Sequence, residues 1–284
     1  METKLNRLVI TALLLQASTG LYAQTFLIAE AEPDAYAQIQ KALDAPAETP
    51  DCSHQDFGPH ITVEQDDVLK KPVFLFHSHV TPDNDRCSAF DRQRIEIKTY
   101  GPSPAYVKGF LGDTVTLRWR FQLPEGFQSS RNFTHIHQIK AGDGDDGSPL
   151  ITLTPRKGNP DQLQLIHTAG TGAVSAGTVA HVNLEPFLGV WVEAYEKITY
   201  GYKGRYSIVI KRLSDGEKLF EYTNDELDLW RRDTTFIRPK WGVYRSLNDA
   251  GSLRDEKVKF DRFCIAKGDD DCPAEEQPAT PTAQ

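Results

Sequence analysis

The sequence predicts an all-β fold, an antiparallel sandwich built as a single domain, on three observations. Beyond Val73, short segments alternate apolar and polar residues with the period of two of a β-strand, and turn residues separate them. Helical character is confined to the beginning, in "EPDAYAQIQKALD" at 32–44. Neither a repeat nor a linker divides the 284 residues into two cores. We therefore expect one domain with a short N-terminal extension of helix and loop.

The candidate strands follow a Pro-rich connector at 45–59. Turn residues such as Gly, Pro, Asp and Ser separate them. In chain order the candidates are Val73–Val80, Arg92–Tyr100, Thr114–Leu123, Phe133–Ala141, Leu150–Arg156, Leu163–Thr168, Val190–Thr199, Arg205–Leu213, Lys218–Thr223, Lys240–Ser246 and Lys257–Ala266.

Both ends of the chain differ in composition from this core. Residues 1–23 predict a secretory signal peptide, because basic residues precede a short apolar run and "LYAQ" offers a small-residue cleavage position after Ala23. An uncleaved N-terminal anchor is the alternative. The mature domain then covers 24–272, and 273–284 have the composition of a disordered tail. We expect a secreted or periplasmic protein.

The four cysteines are expected to form two disulfides. Disulfides persist outside the cytoplasm, and the CxxC spacing typical of zinc sites is missing from the sequence. Three pairings are possible. We favour Cys264 with Cys272, which closes the loop "CIAKGDDDC", and Cys52 with Cys87.

The formal net charge of −8 argues against two classes of partner. The sequence has neither a basic field for nucleic acid nor a long basic run for a membrane surface. We expect a monomer, and a polyanionic ligand would have to be met by local clusters of Arg and Lys.

Three candidate strands carry polar residues on a face where chemistry is possible. In "RQRIEIK" the alternation predicts one charged face with Arg92, Arg94, Glu96 and Lys98, while Ile95 and Ile97 lie on the other. A solvated outer face with cross-strand charge pairs is the alternative explanation.

The second strand, "FTHIHQIKA", has polar groups on both predicted faces. Alternation places His135 and His137 on one face and Gln138 and Lys140 on the other. Buried histidines satisfy core networks more often than they act as bases. The amide of Gln138 offers a donor to an acid oxygen without adding charge.

The third strand, "KWGVY", predicts Lys240, Gly242 and Tyr244 on one face. A glycine inside a strand weakens packing but lets a ligand approach the backbone closely. The row is therefore predicted to form part of a groove floor.

In this order the three motifs resemble the jelly-roll polysaccharide lyases with a concanavalin-like sandwich. That family shows R-x-E-x-K in one strand, Q-x-K or Q-x-H in the next and K-x-G-x-Y in a late strand; "RIEIK", "HIHQIK" and "KWGVY" match here, across most of 73–266. "HIHQIK" and "RPKWGVYRSL" resemble the glucuronan lyases more closely than the alginate lyases or heparinase-like relatives. The resemblance implies an antiparallel β-jelly-roll and a secreted lyase that cleaves a uronic-acid polymer by β-elimination.

The resemblance also implies roles for the matching residues. Arg94 and Gln138 would stabilise the substrate carboxylate, and Tyr244 would protonate the leaving oxygen. Lys140 stands where alginate lyases of this type have a catalytic histidine, so the base is left open among Tyr244 itself, His135, His137, His77 and His79. The expected catalytic residues are Tyr244, Gln138, Arg94, His79 and His137. The expected substrate-binding residues are Lys240, Lys140, Arg92, Lys98, His135 and His77.

One loop is a candidate calcium site. "AGDGDDGS" gathers Asp143, Asp145 and Asp146 on a Gly-rich stretch, and Ca²⁺ takes several carboxylate and carbonyl oxygens. The loop lacks the length and the distal glutamate of an EF-hand, and a solvated turn is the alternative. We expect no cofactor in catalysis and a structural Ca²⁺ at most.

Two other functions fit a sandwich of this type. A glycoside hydrolase needs two carboxylates that flank the scissile bond, and Glu193 and Glu196 are three apart, on opposite faces of a strand. A non-catalytic carbohydrate-binding protein would keep the groove without needing Tyr244.

Overall fold

The computed structural model describes residues 24–31, 34–169 and 177–275. The predicted signal peptide and residues 276–284 of the predicted tail lie outside the described residues. Of that tail, Glu275 is described, and its carboxylate lies 2.5 Å from Nη1 of Arg120 and 3.2 Å from Nζ of Lys71. In the described part of the chain, no helix has the length and apolar character needed to cross a bilayer.

Fourteen strands and one α-helix, α1 (Ala35–Leu43), are the main elements of the described residues. The strands are β1 (Thr25–Leu27), β2 (Ile61–Asp66), β3 (Lys71–Ser78), β4 (Arg92–Lys98), β5 (Thr114–Gln122), β6 (Thr134–Ala141), β7 (Ile151–Arg156), β8 (Gln162–His167), β9 (Gly177–Asn183), β10 (Val192–Thr199), β11 (Gly204–Arg212), β12 (Lys218–Leu227), β13 (Ile237–Ser246) and β14 (Glu256–Lys267).

Two antiparallel sheets form a sandwich, which confirms the predicted fold class. The eight-stranded sheet has the order β12-β11-β10-β5-β14-β3-β2, and β1 pairs with β14. The six-stranded sheet has the order β4-β13-β6-β7-β8-β9. Sequence neighbours β3 and β4 lie in different sheets, so the chain crosses between the layers as a jelly-roll requires.

The single α-helix lies within the segment that the sequence marked as helical. Asp34 caps it, because its side chain accepts a hydrogen bond from the backbone N–H of Ala37 at 3.0 Å. Ala35, Ile39 and Leu43 recur every four residues and are buried. The helix therefore packs one apolar stripe against the sandwich.

The inner faces of the two sheets make the hydrophobic core. β4 contributes Ile95 and Ile97, β13 contributes Trp241, and the facing sheet contributes Trp119 and Phe260, all fully buried. Because side chains alternate along a strand, the charged residues of β4 are directed to the outer face of the six-stranded sheet. The core thus fixes which side of β4 can meet a ligand.

Gly242 marks an irregularity in β13. The register with β6 shifts between Trp241 and Tyr244, and Gly242 has a φ of +144°. A Cβ at this position would clash with the carbonyl oxygen of Ile95 and lie 2.8 Å from Cα of Glu96. Glycine is therefore required by the close approach of the β13 and β4 backbones, a different reason from the ligand access that its place in a strand suggested.

Two disulfides connect the described cysteines. They are Cys52–Cys87 and Cys264–Cys272, the pairing that the sequence favours. The first joins the connector after α1 to the segment between β3 and β4. The second closes the turn that follows β14.

Candidate active site

Adjacent strands bring the three sequence motifs together on the six-stranded sheet. β13 lies between β4 and β6, and its register pairs Tyr244 with Arg94 on one side and with His135 on the other. Four residues earlier in β13, Lys240 pairs with Lys98 of β4 on one side and with Gln138 of β6 on the other. The motifs that are far apart in the sequence therefore form one continuous surface on β4, β13 and β6, which we call the groove.

Glu96 is the centre of the charge network on this surface. Its side chain is fully buried and accepts hydrogen bonds from Nη1 of Arg94 at 2.6 Å and from Nε2 of Gln138, and Nζ of Lys240 lies 2.6 Å away. Burial acts to raise the pKa of the Glu96 carboxyl, but Lys240 and Arg94 outweigh it and lower that pKa. Glu96 is thus an anion that fixes the positions of three predicted site residues.

A second carboxylate, Glu48, was not identified from the sequence. It lies in the connector after α1, which pairs with the edge strand β4 through backbone hydrogen bonds between Glu48 and Glu96. Its carboxylate accepts hydrogen bonds from Nζ of Lys240 at 2.7 Å, from Nζ of Lys98 at 2.5 Å and from Nη1 of Arg94 at 3.4 Å. Nothing in the Pro-rich local sequence indicates this role, because the contacts depend on where the connector crosses the sheet.

The charge state of Glu48 follows from these contacts. Burial would raise the pKa of its carboxyl, but the cations of Lys240, Arg94 and Lys98 hold that pKa well below its usual range. Asp85, from the segment between β3 and β4, adds a further bond, since its Oδ1 accepts from Nε of Arg94 at 3.0 Å. Arg94 is therefore held by carboxylates from its own strand and from two loops.

Tyr244 lies at the half-exposed end of the network. Its hydroxyl accepts a hydrogen bond from Nη1 of Arg92 at 3.1 Å, and the guanidinium carbon of Arg94 lies 3.6 Å from the centroid of its ring. The rings of Phe133 and His135 approach the Tyr244 ring, with centroid distances of 5.0 and 5.8 Å. The phenol oxygen is thus presented beside positive charge on an apolar and aromatic support.

His135 is the predicted histidine that the structure brings next to Tyr244. Burial, assisted by the positive charges of Arg156, Arg94 and Lys240 and opposed by Glu96, lowers the pKa of His135 to about 3. Its Nδ1 atom is buried and makes no hydrogen bond to the described residues. The imidazole is therefore neutral throughout the ordinary pH range and is a weak proton acceptor.

His137 does not share the face of His135, which corrects the prediction from strict alternation. Ile136 and His137 are both fully buried in the core, so the alternation of β6 breaks opposite the irregular part of β13. Nδ1 of His137 lies 2.9 Å from the carbonyl oxygen of Lys240, and Nε2 lies 3.2 Å from Oε1 of Glu196. The ring therefore belongs to a polar network between the sheets, away from the groove.

The remaining two predicted histidines lie in the other sheet and in the segment that directly follows it. His77 is in β3, where Nε2 lies 2.9 Å from Oγ1 of Thr62 and burial lowers its pKa to about 4. His79 follows β3, and its Nδ1 lies 3.2 Å from Oδ2 of Asp83. Neither is brought into contact with the groove network around Glu96.

A second row of cations extends the groove beyond Lys240. Arg238 and Lys140 face each other in the register of β13 and β6. Burial and the nearby ammonium of Lys240 lower the pKa of Lys140 to about 8. Lys98 and Lys240 both donate to Glu48, which neutralises part of their charge. Arg238 and Lys140 therefore offer the less neutralised positive charge to an anionic ligand.

The candidate calcium loop has a different use in the structure. Asp143 accepts hydrogen bonds from the backbone N–H of Thr235 at 2.7 Å and from Oγ1 of Thr234 at 2.9 Å. Among the described residues, Asp143, Asp145 and Asp146 do not converge as a set of metal ligands. Calcium binding at this loop stays a prediction.

A cavity of about 550 Å³ lies outside the groove. It is lined by residues from the larger sheet and its loops, among them Lys71, Arg120, Trp191 and Leu213. None of the residues of the Glu96 network lines it.

Comparison with solved structures identifies polysaccharide lyases of similar fold. The endo-β-1,4-glucuronan lyase of the fungus Trichoderma reesei gives a TM-score of 0.52 at 17% identity, over 72% of this chain and 86% of that one. A family 7 alginate lyase in complex with a substrate gives 0.54 at 15% identity, over 81% and 94%. An alginate lyase from Pseudomonas aeruginosa gives 0.51 at 14% identity, over 78% and 97%.

The sequence itself matches no family model and no curated protein. At identities of 14 to 17%, the structural comparisons establish architecture and not substrate. The chain has the jelly-roll sandwich fold of the glucuronan and alginate lyases, as its three motifs predict.

Proposed function

We propose that the protein is a polysaccharide lyase that cleaves a uronic-acid polymer, glucuronan-like in type, by β-elimination outside the cytoplasm. The observation that carries this proposal is the convergence of Arg94, Gln138 and Tyr244 on one face of a lyase-type sandwich. The two disulfides support an oxidising compartment.

The first task of such an enzyme is to stabilise charge. Removing the proton from C5 next to an ionised carboxylate creates additional negative charge in the transition state. The bonds that Arg94 makes to described carboxylates use Nε and Nη1, and we assign Nη2 to the substrate carboxylate. The Gln138 amide donates one N–H to Glu96, and we assign its second N–H to the substrate carboxylate.

The second task is proton transfer, which we assign to Tyr244. The C5–H bond breaks and its proton passes to the phenolate oxygen, the C4–C5 double bond forms, and the C4–O bond breaks with its electrons on the leaving oxygen. The phenol then returns the proton to that oxygen. Arg92 donates a hydrogen bond to the phenol oxygen and would stabilise the negative charge it carries before the transfer.

The histidines are less suited to act as the base. A pKa of about 3 makes His135 a poor proton acceptor near neutral pH. His137 is enclosed in the core, His77 is in a strand of the other sheet, and His79 directly follows that strand. We therefore give His135 a supporting role, as a neutral ring beside Tyr244.

For a hydrolase we consider two pairs of carboxylates among the described residues, Glu193 with Glu196 and Glu48 with Glu96. Glu193 accepts hydrogen bonds from Nη1 of Arg118 and Nε of Arg120, and Glu196 is buried with the side chain of His137. In the groove, Glu48 and Glu96 share the ammonium of Lys240. Carboxylates neutralised in this way are poor candidates for a general acid with a raised pKa.

The proposed function can be tested with defined polymers. The purified protein is incubated with polyglucuronate, polymannuronate and polyguluronate, while ultraviolet absorbance and reducing ends are followed in parallel. A lyase produces both signals together, because each cleavage creates an unsaturated sugar. Reducing ends without absorbance would indicate a hydrolase, and binding without either signal would indicate a carbohydrate-binding protein.

A further inference from the structure

Three histidines and one aspartate converge at the edge of the larger sheet, outside the groove. The histidine cluster consists of His54, His60, His79 and Asp83, and each offers one ligand atom, all within 4.8 Å of one another. Oδ1 of Asp83 lies 3.0 Å from Nδ1 of His54 and 3.1 Å from Nε2 of His60, while Oδ2 lies 3.2 Å from Nδ1 of His79. Four potential ligand atoms, from the connector after α1 and from the segment after β3, thus lie close together.

Asp83 and His60 link the members of this arrangement through charged contacts. The Asp83 carboxylate is fully buried and also accepts from the backbone N–H of His79 at 2.7 Å. Both ring nitrogens of His60 face carboxylates, since Nδ1 lies 2.6 Å from Oδ1 of Asp51. Asp51 and Asp83 raise the pKa of His60 to about 9, so a doubly protonated ring donates to both carboxylates, and a metal would have to displace the proton on Nε2.

A cation at the centre would take the place of that proton. With the proton of His60 on Nδ1 and directed to Asp51, the Nε2 lone pair is free to bind metal, which is the carboxylate–histidine–metal arrangement of many protein sites. Asp51 is itself held by the hydroxyl of Tyr36, which donates to Oδ2 at 2.8 Å. The outer support that a metal ligand requires is therefore already built.

The ligand types select the metal. Three imidazole nitrogens and one carboxylate oxygen suit zinc and exclude calcium, which takes oxygen ligands. Bonds of about 2.0–2.1 Å place tetrahedral ligands about 3.3 Å apart. Oδ1 of Asp83 lies 3.0 Å from Nδ1 of His54 and 3.1 Å from Nε2 of His60, close to that edge length, and all four ligand atoms lie within 4.8 Å of one another.

From these contacts we infer that the histidine cluster is a structural zinc site. Four protein ligands leave no open position for a substrate, which is typical of structural and not catalytic zinc. The ring of Phe57 covers the site, with its centroid 4.3 Å from that of His79 and 5.0 Å from that of His60. His79, a candidate base in the sequence analysis, becomes a metal ligand.

The position of the cluster links it to the groove. The connector that carries His54 and His60 also carries Glu48, and the segment that carries Asp83 also carries Asp85. These two segments are joined by the disulfide Cys52–Cys87, and both deliver carboxylates to Arg94. Zinc would fix the two loops that position Arg94. This last step rests on the proposed function, whereas zinc binding does not.

The test uses the full mature chain without substrate. The protein is stripped with a strong chelator, titrated with zinc and analysed for bound metal and thermal unfolding. We expect about one zinc per chain and a higher melting temperature. The variants His60→Ala and His79→Ala should each lose the high-affinity site, while His181→Gln, at an exposed position of β9, should bind like the parent.

Two further measurements keep the test decisive if the alanine variants fail to fold. Cobalt added to the stripped parent protein should give the intense visible bands of tetrahedral Co²⁺. Asp51→Asn removes no ligand and should weaken zinc binding by roughly 10–100-fold. Failure of the stripped parent to take up zinc, octahedral cobalt bands, or equal uptake by a folded His60→Ala variant would overturn the inference. Zinc uptake without any lyase activity would overturn the proposed function alone.

Discussion

The guanidinium of Arg94 stacks on the ring of Tyr244, with 3.6 Å between the guanidinium carbon and the ring centroid. The contact depends on the antiparallel register that places the two residues opposite each other on β4 and β13. It joins the group assigned to charge stabilisation with the group assigned to proton transfer. Conservative changes, which keep the charge of Arg94 or the ring of Tyr244, should therefore affect the rate more than the fold.

Tyr244→Phe removes only the hydroxyl and its hydrogen bond from Arg92. We expect a folded protein whose turnover on polyglucuronate falls by roughly 10²- to 10⁴-fold, the usual contribution of general acid–base catalysis. KM should change less than kcat, because the transfer is felt mainly in the transition state. A folded variant with parental kcat would move the chemistry to His135.

Arg94→Lys keeps the charge but loses the planar fork that contacts Asp85 through Nε and Glu96 through Nη1. We expect kcat/KM to fall by about 10²-fold or more, since one preorganised donor at a developing charge has about that effect. Arg205→Lys, in the exposed pair with Asp225, is the matched control and should leave kcat/KM unchanged. Circular dichroism should show the same fold for both variants.

Glu48→Gln tests the carboxylate that neutralises Lys240 and Lys98. Removing one partner of a buried ion-pair network leaves unpaired charge, and we expect the free energy of unfolding at pH 7 to fall by about 3–5 kcal/mol. Because folding lowers the Glu48 pKa, its stabilisation is present above the ordinary value of 4.5 and is lost as the pH falls through the lower folded value. The difference from the parent should shrink in acid.

Denaturant titrations at pH 7 and pH 3 would measure this difference. Glu221→Gln, in an exposed pair with Lys218, is the control for removing a surface carboxylate and should have little effect. Equal stability of the parent and Glu48→Gln at pH 7 would show that the Glu48 contacts contribute nothing net.

Lys140 should make substrate binding depend on pH. Its folded pKa of about 8 means that the ammonium is charged below that pH and neutral above it. We expect KM for an acidic polymer to rise as the pH passes 8. Lys140→Arg should abolish this rise because a guanidinium stays protonated, and Lys140→Gln should show the high KM throughout. An identical pH profile of KM in the parent and Lys140→Arg would contradict the assignment.

Gly242→Ala should destabilise the protein through the backbone. The φ of +144° and the clash with the carbonyl of Ile95 both oppose a Cβ. We expect a loss of at least about 1–3 kcal/mol, the range for a strained backbone conformation. Gly147→Ala, where a Cβ would meet nothing within 4 Å, is the control and should unfold like the parent.

Strand periodicity in the sequence was sufficient to predict the sandwich and much of the groove. Alternation in "RIEIK" and "KWGVY" correctly placed Arg94 with Glu96 and Lys240 with Tyr244, because the core takes the apolar residues between them. The cysteine pairing was also the favoured one. Strand alternation can be predicted from the sequence because it depends on the backbone geometry of each strand and on residues that are close together in the sequence.

Other features were decided by the tertiary structure alone. The break in alternation that buries His137 depends on the shifted register with β13, which strict periodicity of β6 could not anticipate. Glu48 and Asp85 reach Arg94 from loops, and the histidine cluster assembles from segments on either side of β2 and β3. The position of a side chain in its own strand determines which face of the sheet it occupies. Its contact partners depend on which distant segments pack beside it, and only the folded chain determines that packing.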